Sequence, residues 1–401
     1  MKRNADDKTK LSHLGRSPHD YHGAVNPPVY HTSTVLRKTA AEFMDSRRHR
    51  FDKGHLFYGR MGTPTHFALE EAVAEIEGGY GALLVPSGLA AIAVAILSQA
   101  QAGDHILVAD TVYTPNRSFC DGFLARMGVE TTYYDPMLGA DIAELFRDNT
   151  KLVFVESPGS VTFEVQDIPA IAGAARQAGI AVVMDNSWAT PLHFKSIAQG
   201  VDISIHAATK FIVGHSDAML GIVIAADEAL YRRIRETDGA LGMAVGPDDA
   251  FLGLRGLRSL AVRVQRHYEN GLALASWLAE HPLVERVMYP PLPGDPGHDL
   301  WKRDFTGGCG LFGVVLREAP GKAGFGALMD ELDYFGIGAS WGGYESLIMP
   351  TKPEASRTAT EWNAPGRTFR IHCGLEDAQD LIGDLEAGLD RLATHLKKTG
   401  G

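Results

Sequence analysis

Short apolar runs alternate with helix-length segments between residues 81 and 226, and this alternation limits the possible folds more than any other feature. The runs are residues 81–88, 105–110, 128–135, 151–158, 181–186, 202–208 and 220–226. Segments between them, such as residues 167–179, have the length of helices that connect parallel strands. The pattern therefore predicts an α/β fold with a mostly parallel seven-stranded sheet covered by helices on both faces.

The chain on either side of this region differs in character. Residues 1–62 are polar and irregular, whereas residues 258–281 predict a long helix that is followed by shorter strands. Thr63 is a suitable N-cap with Pro64 at the first helical position, so a regular domain begins there. We expect three regions, an N-terminal arm, a large domain and a smaller α+β domain: residues 1–62, 63–255 and 256–401.

Composition excludes several classes of partner. The formal net charge of −11 argues against a nucleic-acid partner. The three cysteines include no CxxC pair, so neither a disulfide framework nor a zinc site is indicated. The longest apolar run, residues 89–97, is about half of what a membrane-spanning helix needs. The N-terminus does not have the apolar core of a signal peptide, so we expect a cytoplasmic protein.

Chemically useful residues follow several of the predicted strands. They are Ser87 and Gly88 at a helix start, Tyr113, the segment 156–160, Asp185, Thr209 and Lys210. Each has an ordinary explanation by itself, as a helix cap, a packing residue or a surface lysine. In open α/β sheets, however, ligands bind at the carboxyl ends of strands, so these residues would meet at one edge.

This set of residues matches the requirements of pyridoxal phosphate. A glycine at a helix N-terminus can bind the phosphate. An aromatic ring such as that of Tyr113 can support a flat ring, a carboxylate such as Asp185 can pair with a protonated ring nitrogen, and the amine of Lys210 can form an imine. The set fits pyridoxal phosphate better than a nicotinamide or a nucleoside triphosphate.

Two other motifs carry less weight. The segment 308–313, GCGLFG, matches the dinucleotide fingerprint, but it leads into a strand pattern instead of a helix. His215 and Asp217 are too few to indicate a metal site, and we expect none.

Beyond these strand ends, nearly the whole chain resembles the Cys/Met metabolism family of pyridoxal-phosphate-dependent enzymes. The resemblance is carried by YGRMGTPT at residue 58, ATKFIVGHSD at residue 208 and FRIHCGLED at residue 369. It implies an aspartate aminotransferase-like fold of type I and a carbon–sulfur lyase. ESPGSVTFEVQDIPA (156–170) and SWGGYESL (340–347) resemble the β-lyase branch, since γ-synthases and γ-lyases usually read ESPxNP and SLGG there.

The β-lyase branch implies α,β-elimination of L-cystathionine or a related thioether amino acid. The alternatives are γ-elimination of cystathionine or methionine, γ-replacement as in a γ-synthase, and a broader cysteine-S-conjugate β-lyase. A non-catalytic protein of the same fold is a further alternative, which the complete set of site residues disfavours.

The resemblance also implies a role for each site residue. Lys210 is the lysine that forms the Schiff base, and Tyr113 stacks on the cofactor ring. These two residues are the implied catalytic pair. Asp185 is the partner of the pyridinium nitrogen. The other implied binding residues are Gly88, Leu89 and Thr209 for the phosphate, Tyr58, Ser340 and Trp341 for the substrate, and Arg370 for its carboxylate.

Oligomeric state is implied in the same way. Tyr58 and Arg60 in the arm would bind the cofactor phosphate of a neighbouring subunit, which implies a homotetramer built from dimers. Two positions depart from the family pattern: Ala207 stands where many members have serine, and Ser160 stands where γ-branch members have asparagine.

Overall fold

The computed structural model describes residues 5–399, and its larger sheet contains all seven predicted strands. They are β1 (Gly81–Val85), β2 (His105–Ala109), β3 (Glu130–Tyr134), β4 (Thr150–Glu156), β5 (Ala181–Asp185), β6 (Ile203–His206) and β7 (Gly221–Ala225). Their order is β1-β7-β6-β5-β4-β2-β3. Strands β2 to β6 pair in parallel, and β7 is antiparallel to both β1 and β6. The prediction of a mostly parallel sheet is confirmed.

Helices cover this sheet and extend into the rest of the chain. The α-helices are α1 (Asp7–Leu11), α2 (Ala40–Arg48), α3 (Pro64–Glu77), α4 (Gly88–Leu97), α5 (Thr114–Ser118), α6 (Ile168–Gln177), α7 (Thr190–His193), α8 (Glu228–Leu241), α9 (Pro247–Ala279), α10 (His298–Asp304), α11 (Gly321–Met329) and α12 (Ala378–Thr399). Short 3-10 turns lie at Pro18–Tyr21, Gly59–Met61, Gly139–Leu145, Ile197–Gln199 and Pro353–Ser356, and a π-helical turn at Phe119–Leu124. Every residue of β1, β2 and β7 is buried, as expected for strands covered on both faces.

The C-terminal part contains a second, smaller sheet. Its strands are β8 (Val284–Met288), β9 (Leu311–Leu316), β10 (Gly336–Ile337), β11 (Leu347–Thr351) and β12 (Thr368–His372), in the order β10-β11-β12-β9-β8. All pairs are antiparallel except β10 with β11. GCGLFG runs directly into β9, so it is not a dinucleotide-binding turn. Helix α9 contacts both α3 and β8, and the expected boundary at residue 255/256 falls inside it. The division into three regions therefore stays a prediction.

The N-terminal arm is more regular than expected. Its helix α2 begins where the Thr39 hydroxyl accepts a hydrogen bond from the Glu42 amide at 3.1 Å, and the Glu42 carboxylate accepts one from the Lys38 amide at 2.9 Å. The Thr39–Glu42 spacing is that of a capping box. The expectation of an irregular arm was wrong here because α2 is mostly exposed and has no apolar period to reveal it.

A membrane span is not found among the described helices. None of those between residues 5 and 399 combines the length and the apolar character that crossing a bilayer requires.

Candidate active site

A cavity of about 250 Å³ lies at the carboxyl ends of the central strands, between the large sheet and β12. The predicted residues that line it are Gly88, Leu89, Tyr113, Asp185, Thr209, Lys210, Trp341 and Arg370. Ala207 and Ser160, the two departures from the family pattern, line it as well. Ser87 lines the cavity too, so the topology brings together residues that lie as much as 283 positions apart in the sequence, from Ser87 to Arg370.

One end of the cavity is the start of helix α4. Ser87 is its N-cap, and its hydroxyl accepts a hydrogen bond from the Ala90 amide at 3.1 Å. A Cβ atom at Gly88 would lie 2.7 Å from the Cβ of Ala207, so only glycine fits there without displacement. A helix N-terminus that opens into a cavity favours an anion such as phosphate.

Thr209 lies beside this helix start and is held by the backbone of Leu220. The Leu220 amide donates to the Thr209 hydroxyl oxygen at 2.8 Å, and the hydroxyl lies 3.1 Å from the Leu220 carbonyl oxygen. These contacts fix the hydroxyl at the wall of the cavity. The chain then turns, and the Lys210 amide donates to the Ala207 carbonyl at 2.9 Å.

The amine of Lys210 points toward the segment between β10 and β11 of the smaller sheet. Its Nζ donates to the Ser340 hydroxyl at 2.9 Å and lies 5.3 Å from the centre of the Trp341 ring. Burial, with the nearby positive charge of Arg370, lowers the pKa of Lys210 to about 8, although Asp185 acts in the opposite direction. A substantial neutral fraction of this amine is therefore available just above neutral pH.

Two carboxyl groups lie side by side at the ends of β4 and β5. Glu156 is in register with Asp185, and both line the cavity. The Ser187 amide donates to Asp185 Oδ1 at 2.9 Å, and the Tyr113 amide donates to Glu156 Oε2 at 2.7 Å. Burial raises the pKa of Asp185 despite these contacts, and burial together with Asp185 raises the pKa of Glu156 well above its usual value.

Glu156 is a residue that sequence reasoning missed. It was part of a noted segment, but it received no role because its neighbour Asp185 is on another strand. Ser187, whose hydroxyl accepts from the Ala207 amide at 2.7 Å, was missed because this partner follows a different strand. The available signal was the position of Glu156 at the end of a buried strand.

Arg370 and Tyr113 also line the cavity. Arg370 Nη2 donates to the carbonyl oxygens of Ala339 and Ser340 at 3.2 and 3.1 Å, and burial lowers the pKa of this guanidinium to about 10. Burial, with the charges of Glu156 and Asp185, raises the pKa of Tyr113, so its phenol stays protonated near neutral pH.

Tyr58 and Arg60 do not line this cavity. Arg60 Nη1 donates to the Gly239 carbonyl at 3.3 Å, and Tyr58 is 43% exposed. Their assignment to a neighbouring subunit's site remains a prediction. Within residues 5–399, no group of three or more His, Cys, Asp or Glu side chains could hold a metal ion.

The donor set fits pyridoxal phosphate on structural grounds. The cavity is lined by a helix start that favours an anion, by a carboxyl group whose burial calls for a cationic or N–H partner, and by an amine of lowered pKa. Such a cavity in a fold of this topology defines a pyridoxal-phosphate-dependent enzyme of fold type I.

The sequence model of the family of Cys/Met metabolism PLP-dependent enzymes matches residues 8–390, and the chain belongs to this family. The predictions of this cofactor and of a carbon–sulfur lyase are confirmed at that level.

Three relatives show the range within the family. The chain is 45% identical to cystathionine beta-lyase MetC of Escherichia coli, over 97% of this chain and 100% of that protein. It is 41% identical to the L-alanine/L-glutamate racemase of Wolbachia pipientis, over 98% and 99%. A solved structure of cystathionine gamma synthase from Xanthomonas oryzae, in complex with aminoacrylate and cysteine, superposes with a TM-score of 0.88 at 31% identity, covering 98% and 100%.

Proposed function

We propose that this enzyme is a cystathionine β-lyase, which converts L-cystathionine to homocysteine, pyruvate and ammonia. The observation that carries the proposal is the contact of Ser340 and Trp341 with the Lys210 amine. This is the segment whose sequence resembles the β-lyase branch. The similarity to the E. coli β-lyase supports the same activity.

Each residue has a task in this reaction. Arg370 binds the substrate carboxylate with its guanidinium, which suits a bidentate contact. Lys210, as a neutral amine, takes the proton from Cα, and the lowered pKa favours this form. Bound pyridoxal phosphate supplies the electron sink that makes this proton removable, with Asp185 as the partner of its ring nitrogen.

The bond that breaks is the one between Cβ and sulfur. The electron pair left at Cα by the proton forms the Cα–Cβ double bond, and the sulfur leaves with the C–S pair. Tyr113 or Lys210 donates a proton to that sulfur, which gives homocysteine. Water hydrolyses the remaining three-carbon amine to pyruvate and ammonia, so no oxidant or reductant is needed.

The identity of the keto acid tests the proposal. The purified holoenzyme is incubated with L-cystathionine, and the keto acid and the free thiol are identified. We expect pyruvate and homocysteine, and Lys210→Ala should be at least about a thousandfold slower, as expected for the loss of an acid–base group. Release of 2-oxobutyrate and cysteine would contradict β-elimination and assign the enzyme to the γ-branch. Near-normal turnover by Lys210→Ala would contradict the role of the lysine.

Racemisation of an amino acid is a second candidate function. It is favoured by the similarity to the Wolbachia racemase and by the presence of two proton-transferring side chains, Lys210 and Tyr113, in one cavity. Incubation with L-alanine in D₂O distinguishes the two. Formation of deuterated D-alanine faster than pyruvate forms from cystathionine would favour the racemase.

The assembly completes the proposal. Tyr58 and Arg60 bind the phosphate and substrate of a neighbouring subunit in a homotetramer, and the enzyme is cytoplasmic. The role in a neighbouring subunit is supported by the position of Tyr58 and Arg60, which do not line the cavity of their own chain. Arg60 instead donates a hydrogen bond to the Gly239 carbonyl.

A further inference from the structure

His372 is a buried histidine directly behind the cavity. It lies on β12, two positions beyond Arg370, so both side chains leave the strand on the same face. Only 1% of its surface is exposed. It is not among the residues that line the cavity.

The imidazole of His372 contacts the segment that approaches the lysine. We call residues 339–343 the substrate loop. The Gly342 amide in this loop donates to His372 Nε2 at 3.0 Å, and Nε2 also lies 3.2 Å from the Gly343 carbonyl oxygen. In one neutral tautomer Nε2 accepts from the Gly342 amide, and in the other the Nε2 proton is donated to the Gly343 carbonyl, so a neutral ring is bonded to the loop in either form. Burial lowers the pKa of His372 well below its usual value, so the ring is neutral.

Gly342 is the point where the substrate loop lies against the catalytic lysine. Its φ of +84° is in the region that favours glycine, and an added Cβ would lie 2.8 Å from the backbone carbonyl carbon of Lys210. The loop therefore has little freedom at this point, and any shift of Gly342 moves its neighbours Ser340 and Trp341 relative to the Lys210 amine.

Aromatic rings packed around His372 connect it to Trp341 of the substrate loop. Its ring centre lies 5.9 Å from that of Phe211, which in turn lies 5.4 Å from that of Trp341. The ring of His267 lies 5.1 Å from that of His372 and 5.3 Å from that of Phe211, and His267 hydrogen-bonds the Cys373 carbonyl through Nδ1 at 2.7 Å. His372 thus connects the small sheet to both the loop backbone and the Trp341 ring.

We infer that His372 is a positioning residue that holds the substrate loop against Lys210 and so sets where Ser340 and Trp341 meet the substrate. Arg370 also holds the loop, through the carbonyls of Ala339 and Ser340, but the same guanidinium is needed for the substrate carboxylate. His372 holds the loop by a bond that no substrate group has to displace. Only the choice of substrate in the test below rests on the proposed function.

Two variants of similar size separate the hydrogen bond from packing. His372→Gln keeps an acceptor near the position of Nε2, and His372→Met has none. In the holoenzyme, we expect His372→Met to exchange the amides of residues 339–343 at least about ten times faster than the native enzyme, because the Gly342 N–H loses its partner. His372→Gln should stay within about threefold of the native rate. Hydrogen exchange read by mass spectrometry makes this measurement without substrate.

Kinetics with L-cystathionine provide the second measurement. We expect kcat/KM of His372→Met to fall by about tenfold or more, mostly through KM, and His372→Gln to recover most of it. Equal behaviour of the two variants in either measurement would overturn the inference, as would faster exchange spread evenly over the small sheet. If the native enzyme does not cleave cystathionine, the proposed function fails, while the exchange rates still decide the role of His372.

His267→Met is the matched control, and His372→Phe is the variant to use if His372→Met does not fold. His267 is an equally buried histidine next to His372, but its hydrogen bond goes to Cys373 and not to the loop. We expect it to lower the melting temperature without accelerating exchange in the substrate loop. Selective acceleration by His267→Met would show that general packing holds the loop, and would also overturn the inference.

Discussion

Lys210 shows how its surroundings adapt a single side chain for reaction. Its pKa of about 8 results mainly from burial and secondly from Arg370. At that pKa, about a tenth of the amine is neutral at pH 7 and about nine tenths at pH 9. Because only the neutral amine reacts with an aldehyde, we expect enzyme stripped of cofactor to take up pyridoxal phosphate about ten times faster at pH 9 than at pH 7.

Stopped-flow absorbance measures this uptake. A simple alkyl amine, with an ordinary pKa of about 10.5, is the control, since its neutral fraction rises about a hundredfold over the same range. The protein rate should level off above pH 8, and the control rate should not. A protein rate that follows the control up to pH 10 would show that the cavity does not lower the lysine pKa.

At the same scale, the residues that sequence reasoning found are those whose role can be read from their local position. Asp185 ends strand β5, and Lys210 follows strand β6. The strand pattern therefore predicts that both residues lie at the same edge of the sheet. Glu156 and His372 derive their environment from neighbouring strands and from the substrate loop. No local pattern contains that information, so the structure was needed to identify them.

At the scale of elements, Asp110 joins the end of β2 to the segment 358–360, which lies between β11 and β12. Its carboxylate accepts hydrogen bonds from the amides of Thr358, Ala359 and Thr360 at 3.0 to 3.1 Å, and it pairs with the buried Arg117. Burial opposes ionisation of Asp110, but the hydrogen bonds from Thr358 and Thr360 outweigh it and lower its pKa. This stabilisation is therefore present above the unfolded-state pKa and is lost as the pH falls through the lower folded-state value.

Removing this connection should be costly. We expect Asp110→Ala to lower the free energy of unfolding by about 3 kcal/mol, because it leaves several amides without an acceptor and the buried Arg117 guanidinium without its carboxylate. Urea denaturation at neutral pH measures the change. Glu354→Ala removes an exposed ion pair with Arg367 and should change stability by less than about 0.5 kcal/mol. Equal effects of the two variants would show that Asp110 does not anchor the segment.

The helices and strands differ in how clearly the sequence pattern predicts them. Strands β1, β2 and β7 were predictable because each buries apolar side chains on both faces and so forms a continuous apolar run. Strand β3 is mostly polar and only partly buried, and its β-branched and aromatic residues indicated it instead. Helix α2 in the arm is mostly exposed and is marked only by its capping box, which the apolar pattern does not show. The long helix α9 was predicted, but it begins at Pro247, 11 residues before the expected start at residue 258. Its first turns therefore lie in the predicted large domain.

At the scale of the whole molecule, the cavity is assembled from both sheets of one chain. Lys210, Asp185 and the helix start follow or end strands of the large sheet, while Arg370 lies on β12 of the smaller sheet and the substrate loop lies between β10 and β11. Of the predicted site, only Tyr58 and Arg60 lie apart. Intrachain folding accounts for all of the chemistry that this cavity presents, so the task of these two residues must be tested between chains.

Mixing inactive subunits tests whether active sites are shared. If Arg60 of one subunit binds the phosphate at the site of another, a hybrid of Arg60→Ala and Lys210→Ala chains contains one site with both native residues. Random reassembly of equal amounts, with half of the dimers hybrid and one of two sites intact in each, should restore about a quarter of native activity. Cystathionine cleavage after joint unfolding and refolding measures this recovery, and refolding each variant alone is the control. Recovery no greater than the sum of the two controls would show that each subunit builds its site alone, and Arg60 would then belong to the surface contact with Gly239 that the structure shows.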